Sequence, residues 1–175
     1  MMLTALAAAA AITVGEAERP IRLDNACEAS EWAGAARTRI AEGVELLAMA
    51  DEDHVYLCWT LPPESLGALD LYLIVPGEAS RQLHVGAEHG ERWLGPDGWS
   101  PLSPADDRAW SSPALDAAAG ARAREMRLSR DISRAAWWLM FRLHAVGPGR
   151  SREIVWPAGG VPEDTRTWVE LDLSE

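Results

Sequence analysis

Two stretches of strict alternation limit what this chain can become. In His54–Leu61, Val55, Leu57, Trp59 and Leu61 occupy one parity, and His54, Tyr56, Cys58 and Thr60 the other; Pro62-Pro63 then stops the run. In Trp137–Val146, Trp137, Leu139, Phe141 and Leu143 alternate with Trp138, Met140, Arg142 and His144. Side chains on a strand point to opposite faces in turn, so a period of two with one apolar parity marks a half-buried strand. Leu69–Val75 and Arg81–Ala87 repeat the pattern, with Leu69, Leu71, Leu73, Leu83 and Val85 inward and Asp70, Tyr72, Gln82 and His84 outward. Val44–Met49 is apolar on both faces. Shorter strand signals lie at Arg19–Leu23, Glu91–Leu94, Ala123–Arg130, Glu153–Trp156 and Thr167–Leu173.

Turn signals separate these runs. They are the acidic turn Asp51-Glu52-Asp53, Pro76-Gly77, Gly95-Pro96-Asp97-Gly98 and Gly147-Pro148-Gly149. Short strands broken at intervals of this kind predict an all-β domain, a two-sheet antiparallel β-sandwich of jelly-roll-like form. One or two helical turns are expected, one of them at Asp131–Ala135 with Asp131 as its cap. The expected core is Leu57, Trp59, Leu71, Leu73, Leu83, Val85, Leu139, Phe141 and Leu143. Residues 100–120, rich in Ser, Pro, Ala and Asp, read as a long loop or a concealed short helix around Trp110.

A chain of 175 residues supplies one domain. Residues 1–15 carry no charge and are too few to span a bilayer. They read as the apolar region of a secretory leader, residues 1–17, with Gly15-Glu16-Ala17 as a small-x-small cleavage site. They also read as an Ala-rich first strand or helix. On the leader reading the mature domain is 18–175 and the protein is secreted or periplasmic. In an oxidising compartment Cys27 and Cys58 would pair, closing a loop of about 30 residues for roughly 3 kcal/mol; in a reducing one they are buried free thiols.

The formal charge of −11 argues against nucleic acid and against anionic membrane surfaces. It permits neutral ligands and cations. Asp51-Glu52-Asp53 and Asp106-Asp107 offer oxygens to a structural Ca²⁺, though neither follows an EF-hand pattern, and no metal is assigned. No G-x-S-x-G, H-E-x-x-H or phosphate-cradling glycine loop is present, and no pair of carboxylates is marked for acid–base work, so an enzyme is not expected.

The order of the remaining features narrows the reading. Pro20–Trp32 gives a short strand, an Asx-rich turn and a Glu-Trp pair; Val44–Leu61 gives two apolar runs joined by the acidic turn. Later come a brief helical turn, a Trp-rich strand carrying Phe and Arg, Trp156-Pro157, and a terminal W-x-E-L-x-L strand. Over residues 20–173 this order resembles the family 9 carbohydrate-binding modules and the related DOMON-type β-sandwiches. The resemblance implies a non-catalytic module that holds a saccharide on aromatic side chains, often with structural Ca²⁺. It also admits a haem or other small-ligand domain, for which His84, His144, Met126 and Met140 are the available axial residues. A protein-interaction domain is the third reading.

A sugar-binding bed needs flat aromatic faces beside hydroxyl-binding polar groups. The loop tryptophans Trp93, Trp99 and Trp110 supply the first, and the outward residues Asp70, Tyr72, Gln82, His84, Arg142 and His144 the second. These nine residues are the candidate ligand-binding set.

Overall fold

Both strongly alternating runs become central strands, one in each of two packed sheets. The computed structural model describes residues 11–62, 66–74, 77–113, 123–131, 137–147 and 150–173. Its strands, in chain order, are β1 (Ile12–Thr13), β2 (Gly15–Glu16), β3 (Ala36–Ala41), β4 (Val44–Ala50), β5 (His54–Thr60) and β6 (Leu66–Ile74). Then come β7 (Arg81–Val85), β8 (His89–Gly95), β9 (Gly98–Trp99), β10 (Ser103–Pro104) and β11 (Trp110–Ser111). β12 (Ala123–Ser129), β13 (Trp137–Gly147), β14 (Arg150–Trp156) and β15 (Val169–Asp172) complete the set. The helical element among the described residues is a 3₁₀ turn, Thr165–Thr167, capped by Asp164, which accepts from the Arg166 N–H at 3.2 Å.

The larger sheet runs β1-β15-β13-β6-β7-β8-β10, with β14 on the C-terminal half of β13 and β9 on β8. The smaller sheet runs β11-β12-β5-β4-β2, with β3 also on β4. Pairing is antiparallel except at two short contacts, β1 on β15 and β2 on β4. The expected hairpin around Gly95–Gly98 forms, and Gly98 takes φ +100°, a conformation that only glycine adopts freely.

Every residue of the expected core is buried, none more than 4% exposed. Trp59 of β5 meets Phe141 of β13 edge-to-face at 5.5 Å, and Phe141 stacks on Trp156 at 5.5 Å, so aromatic contacts join the sheets at the centre. The smaller sheet is also covered on its outer side. Leu47, Met49, Tyr56 and Cys58 pack there under Ala17, Ile21 and Trp32, which explains why β4 and β5 are apolar on both parities. Cys27 and Cys58 form a disulfide with Cα atoms 6.2 Å apart, binding that cover to β5.

The cover is keyed by one carboxylate. Glu125, fully buried on β12, accepts from the Asp24 and Asn25 N–H groups at 2.6 and 2.7 Å through Oε2. Its Oε1 accepts from the Cys27 N–H at 3.0 Å and the Trp32 indole N–H at 3.2 Å. Asn25 and Cys27 take positive φ of 60° and 48° to aim their amides at it. Burial pushes the Glu125 pKa up, and the backbone donors offset only part of that rise.

Several expectations are corrected. Arg19–Leu23 is not a strand: Pro20 has no N–H for a ladder, and Ile21 instead serves as a buried contact of the cover. Residues 12–16 supply the strand pairings at this end, and Ile12 is buried in the main core. Gly15 lies so close to the Gly34 carbonyl that a Cβ would approach its oxygen to 2.0 Å, which excludes any other residue there. The 100–113 stretch is neither plain loop nor helix but carries β10 and β11. Val75, Pro76, residues 114–122, residues 132–136 of the anticipated helical turn, and 148–149 lie outside the described residues.

Candidate binding face on the larger sheet

The register of the larger sheet brings the outward polar residues together. Arg142 on β13, Asp70 on β6 and His84 on β7 stand side by side in one cross-strand row. Met140, Tyr72, Gln82 and Arg92 form the next row. His144 and Glu153 pair across β13 and β14. The face therefore gathers Asp70, Tyr72, Gln82, His84, Arg142 and His144, as the alternation predicts.

Asp70 organises the polar half. Its Oδ1 accepts from Gln82 Nε2 at 2.8 Å and from His84 Nδ1 at 2.7 Å, and its Oδ2 lies 3.8 Å from His144 Nε2. His144 Nε2 is also 3.7 Å from Glu153 Oε1. Burial alone would raise the Asp70 pKa; the His84 and Gln82 hydrogen bonds outweigh it and hold this carboxyl below its ordinary range. The same bond to Asp70 raises the His84 pKa against the effect of burial. Arg92 Nε donates to Gln82 Oε1, so Gln82 is fixed from both ends.

The aromatic half lies beside it. Trp99, half-buried on β9, meets Tyr72 edge-on at 5.6 Å and carries the Arg92 guanidinium 5.3 Å from its ring centre. Its indole N–H donates to Glu163 at 3.0 Å, which holds the ring from the 157–168 segment. Trp168 closes over Tyr72 and Met140, with ring centres of Trp168 and Tyr72 6.4 Å apart. Trp138, exposed on the same face of β13, sits across from Ile74.

Two of the nine candidates do not belong to this face. Trp110 is 3% exposed, part of the main core, with its indole N–H on Glu91 at 3.1 Å; β11 carries it inward beneath the loop. Trp93 has the opposite parity to Arg92. It pairs across from Arg81, whose guanidinium lies 3.9 Å over its ring, on the inner side at the sheet edge. Tyr72 and Gln82 are also more enclosed than expected, at 2% and 4% exposure, so they form a floor rather than a contact surface. Arg92, Trp138, Trp168, Glu153 and Glu163 were not in the predicted set. The parity of Arg92 and Trp138 was a usable signal; the approach of Glu163 and Trp168 depends on a loop path that alternation does not encode.

Asp51 spends its carboxylate on the Asp53 and His54 N–H groups and the Tyr56 hydroxyl, and Asp106 accepts from the Arg108 N–H. Both acidic turns are thus explained by local bonds. Among the described residues, Cys27, Cys58 and Glu125 gather possible metal-ligand atoms within 4.8 Å, but the two sulfurs are joined to each other. Of the axial residues of the haem reading, Met126 is enclosed between the sheets, whereas His84, His144 and Met140 share the outer face of the larger sheet, Met140 under Trp168. A cleft of about 810 Å³ at one end of the sandwich is lined by 14–20, 50–53, Arg130 and Leu173, with no aromatic side chain to stack on a ligand. Among the described residues no helix is long and apolar enough to cross a membrane.

Neither a protein-family model nor a curated protein matches the sequence. Two solved structures share its fold, both of a family 9 carbohydrate-binding module from Caldicellulosiruptor kristjanssonii. The complex with glucose aligns with a TM-score of 0.54 at 12% identity, covering 93% of this chain and 95% of the other. The complex with cellotriose aligns with a TM-score of 0.52 at 12% identity, covering 92% of each. The chain therefore has the β-sandwich fold of the family 9 carbohydrate-binding modules, along nearly its whole length.

Proposed function

We propose that this protein is a non-catalytic saccharide-binding module and that its ligand lies on the outer face of the larger sheet. The observation that carries the reading is the contact of Trp99 with Tyr72 and Arg92 beside the Asp70–His84–Gln82 network. An indole face packs against the C–H side of a pyranose ring, while imidazole and guanidinium groups held by that network bond its hydroxyls. The fold shared with modules solved with glucose and cellotriose supports it. A face of this kind forms few contacts, so dissociation constants from micromolar to millimolar are expected, on the order of −4 to −8 kcal/mol. Nothing in this reading calls for calcium. The disulfide fits an exported protein, secreted or periplasmic.

Titration of tryptophan fluorescence with cellotriose and a wider saccharide panel tests it. Trp99→Ala should reduce affinity at least tenfold and shift Tm by no more than a few degrees. Trp110→Ala should do the reverse, because emptying a buried indole site costs about 3–5 kcal/mol. Unchanged affinity in Trp99→Ala would remove the face from consideration.

A further inference from the structure

Arg142 and Arg92 stand on the binding face without ion partners. Among the described residues neither guanidinium comes within 4.0 Å of a carboxylate, although the chain has 27 acidic side chains against 16 basic ones. Arg142 is directly across from Asp70 in the register, yet Asp70 turns to His84 and Gln82 instead. The buried Nε of Arg142 has no hydrogen-bond acceptor among the described residues. Such a donor carries a desolvation penalty unless something supplies an acceptor. Both guanidinium planes lie toward aromatic rings, Arg142 6.0 Å from Tyr72 and Arg92 5.3 Å from Trp99. Arg92 gives its Nε to Gln82, and the terminal N–H groups of the two guanidiniums have the fork geometry that suits a carboxylate.

The other charged groups on this face do not cancel the pair. Asp70 gives its Oδ1 to His84 and Gln82 and has His144 beside its Oδ2, Glu163 takes the Trp99 indole N–H, and Glu153 lies by His144. Two imidazoles and two guanidinium groups thus surround the ring floor. From this we infer that the saccharide is an acidic one, a uronic acid unit whose carboxylate is held by Arg142 and Arg92 while its ring packs on Trp99. The inference rests on the saccharide reading above and specifies its ligand class. Charges farther off than the screening length, about 8 Å at physiological salt, are damped, so the overall −11 opposes an anion less than guanidinium contacts within that length attract it.

The test compares cellotriose with the β-1,4-linked glucuronate trimer, which differs from it in carrying carboxylates at C6. Calorimetric titrations of the intact chain are run at 50 and 500 mM NaCl. The expected result is at least tenfold tighter binding of the glucuronate trimer at 50 mM, with most of that advantage lost at 500 mM. Arg142→Gln and, separately, Arg92→Gln should each reduce the affinity ratio between the trimers several-fold; two variants guard against one that folds poorly. Equal or tighter binding of cellotriose overturns the acidic-ligand inference and leaves the saccharide reading standing. A glucuronate preference untouched by either variant overturns the assignment to these arginines. Binding of neither trimer, nor of any other saccharide, overturns both.

Discussion

Truncating Glu125 to alanine is expected to cost about 4 kcal/mol of unfolding free energy, among the largest effects available in this chain. Among the described residues the carboxylate has no ion partner to lose; what it holds is four N–H donors. Asp24, Asn25, Cys27 and the Trp32 indole converge on its two oxygens, about the full lone-pair capacity of a carboxylate. Without it, several buried donors face an apolar gap at about 1–3 kcal/mol each, and water can satisfy only some of them. Relief from burying a carboxyl group acts in the other direction, which is why the expected total is well below the sum. In a domain of this size, 4 kcal/mol corresponds to a fall in Tm of roughly 8–16 °C. Thermal or urea denaturation checks it; a loss under 1 kcal/mol would show that the 24–32 segment is held by other means.

The second large effect is at the disulfide. Replacing Cys27 with serine and Cys58 with alanine opens a loop with a sequence separation of 31 residues. Loop-closure entropy gives about 3–4 kcal/mol for that length. Cys58 is fully buried against Tyr56, Leu47 and Trp32, so alanine adds a modest packing loss. The Cys27 amide also donates to Glu125, which places both devices on one segment. Their costs should therefore not add: once the bridge is gone the cover can peel away, and Glu125→Ala in that background should cost less than it does alone. A double-mutant cycle by denaturation reads the coupling, and strict additivity would mean that the two act on separate pieces of structure.

Alternation revealed more of this molecule than any motif did. Leu57, Trp59, Phe141 and Leu143 were assigned inward from parity alone, and each is fully buried. The same parity put Asp70, His84, Arg142 and His144 outward, and pairing β6 with both β7 and β13 brought them onto one face. Where alternation ended, so did legibility. Trp110 sits in a Ser- and Pro-rich segment whose composition is that of a surface loop; that it tucks between the sheets to reach Glu91 is a tertiary fact. Trp93 was grouped with Trp99 because both flank one turn, although β8 gives Trp93 the parity of Glu91 and Arg81. The N-terminal apolar run was equally ambiguous. An uncharged stretch suits a leader and a strand alike, and Ile12 is found between the sheets.

The central claim is that ligand occupies the outer face of the larger sheet. The chain has nine tryptophans, and their indole N–H groups are separate reporters spread through the sandwich. Trp99 and Trp138 lie on the proposed face, Trp59 and Trp137 are enclosed between the sheets, and Trp32 is buried under the opposite cover. Nitrogen–proton correlation spectra recorded during titration with cellotriose and with the glucuronate trimer should move the Trp99 resonance most and Trp138 next. Those of Trp32, Trp59 and Trp137 should stay in place. Saturating shifts confined to Trp32 or Trp93 with Trp99 unmoved, or no shift with either trimer, would contradict the account.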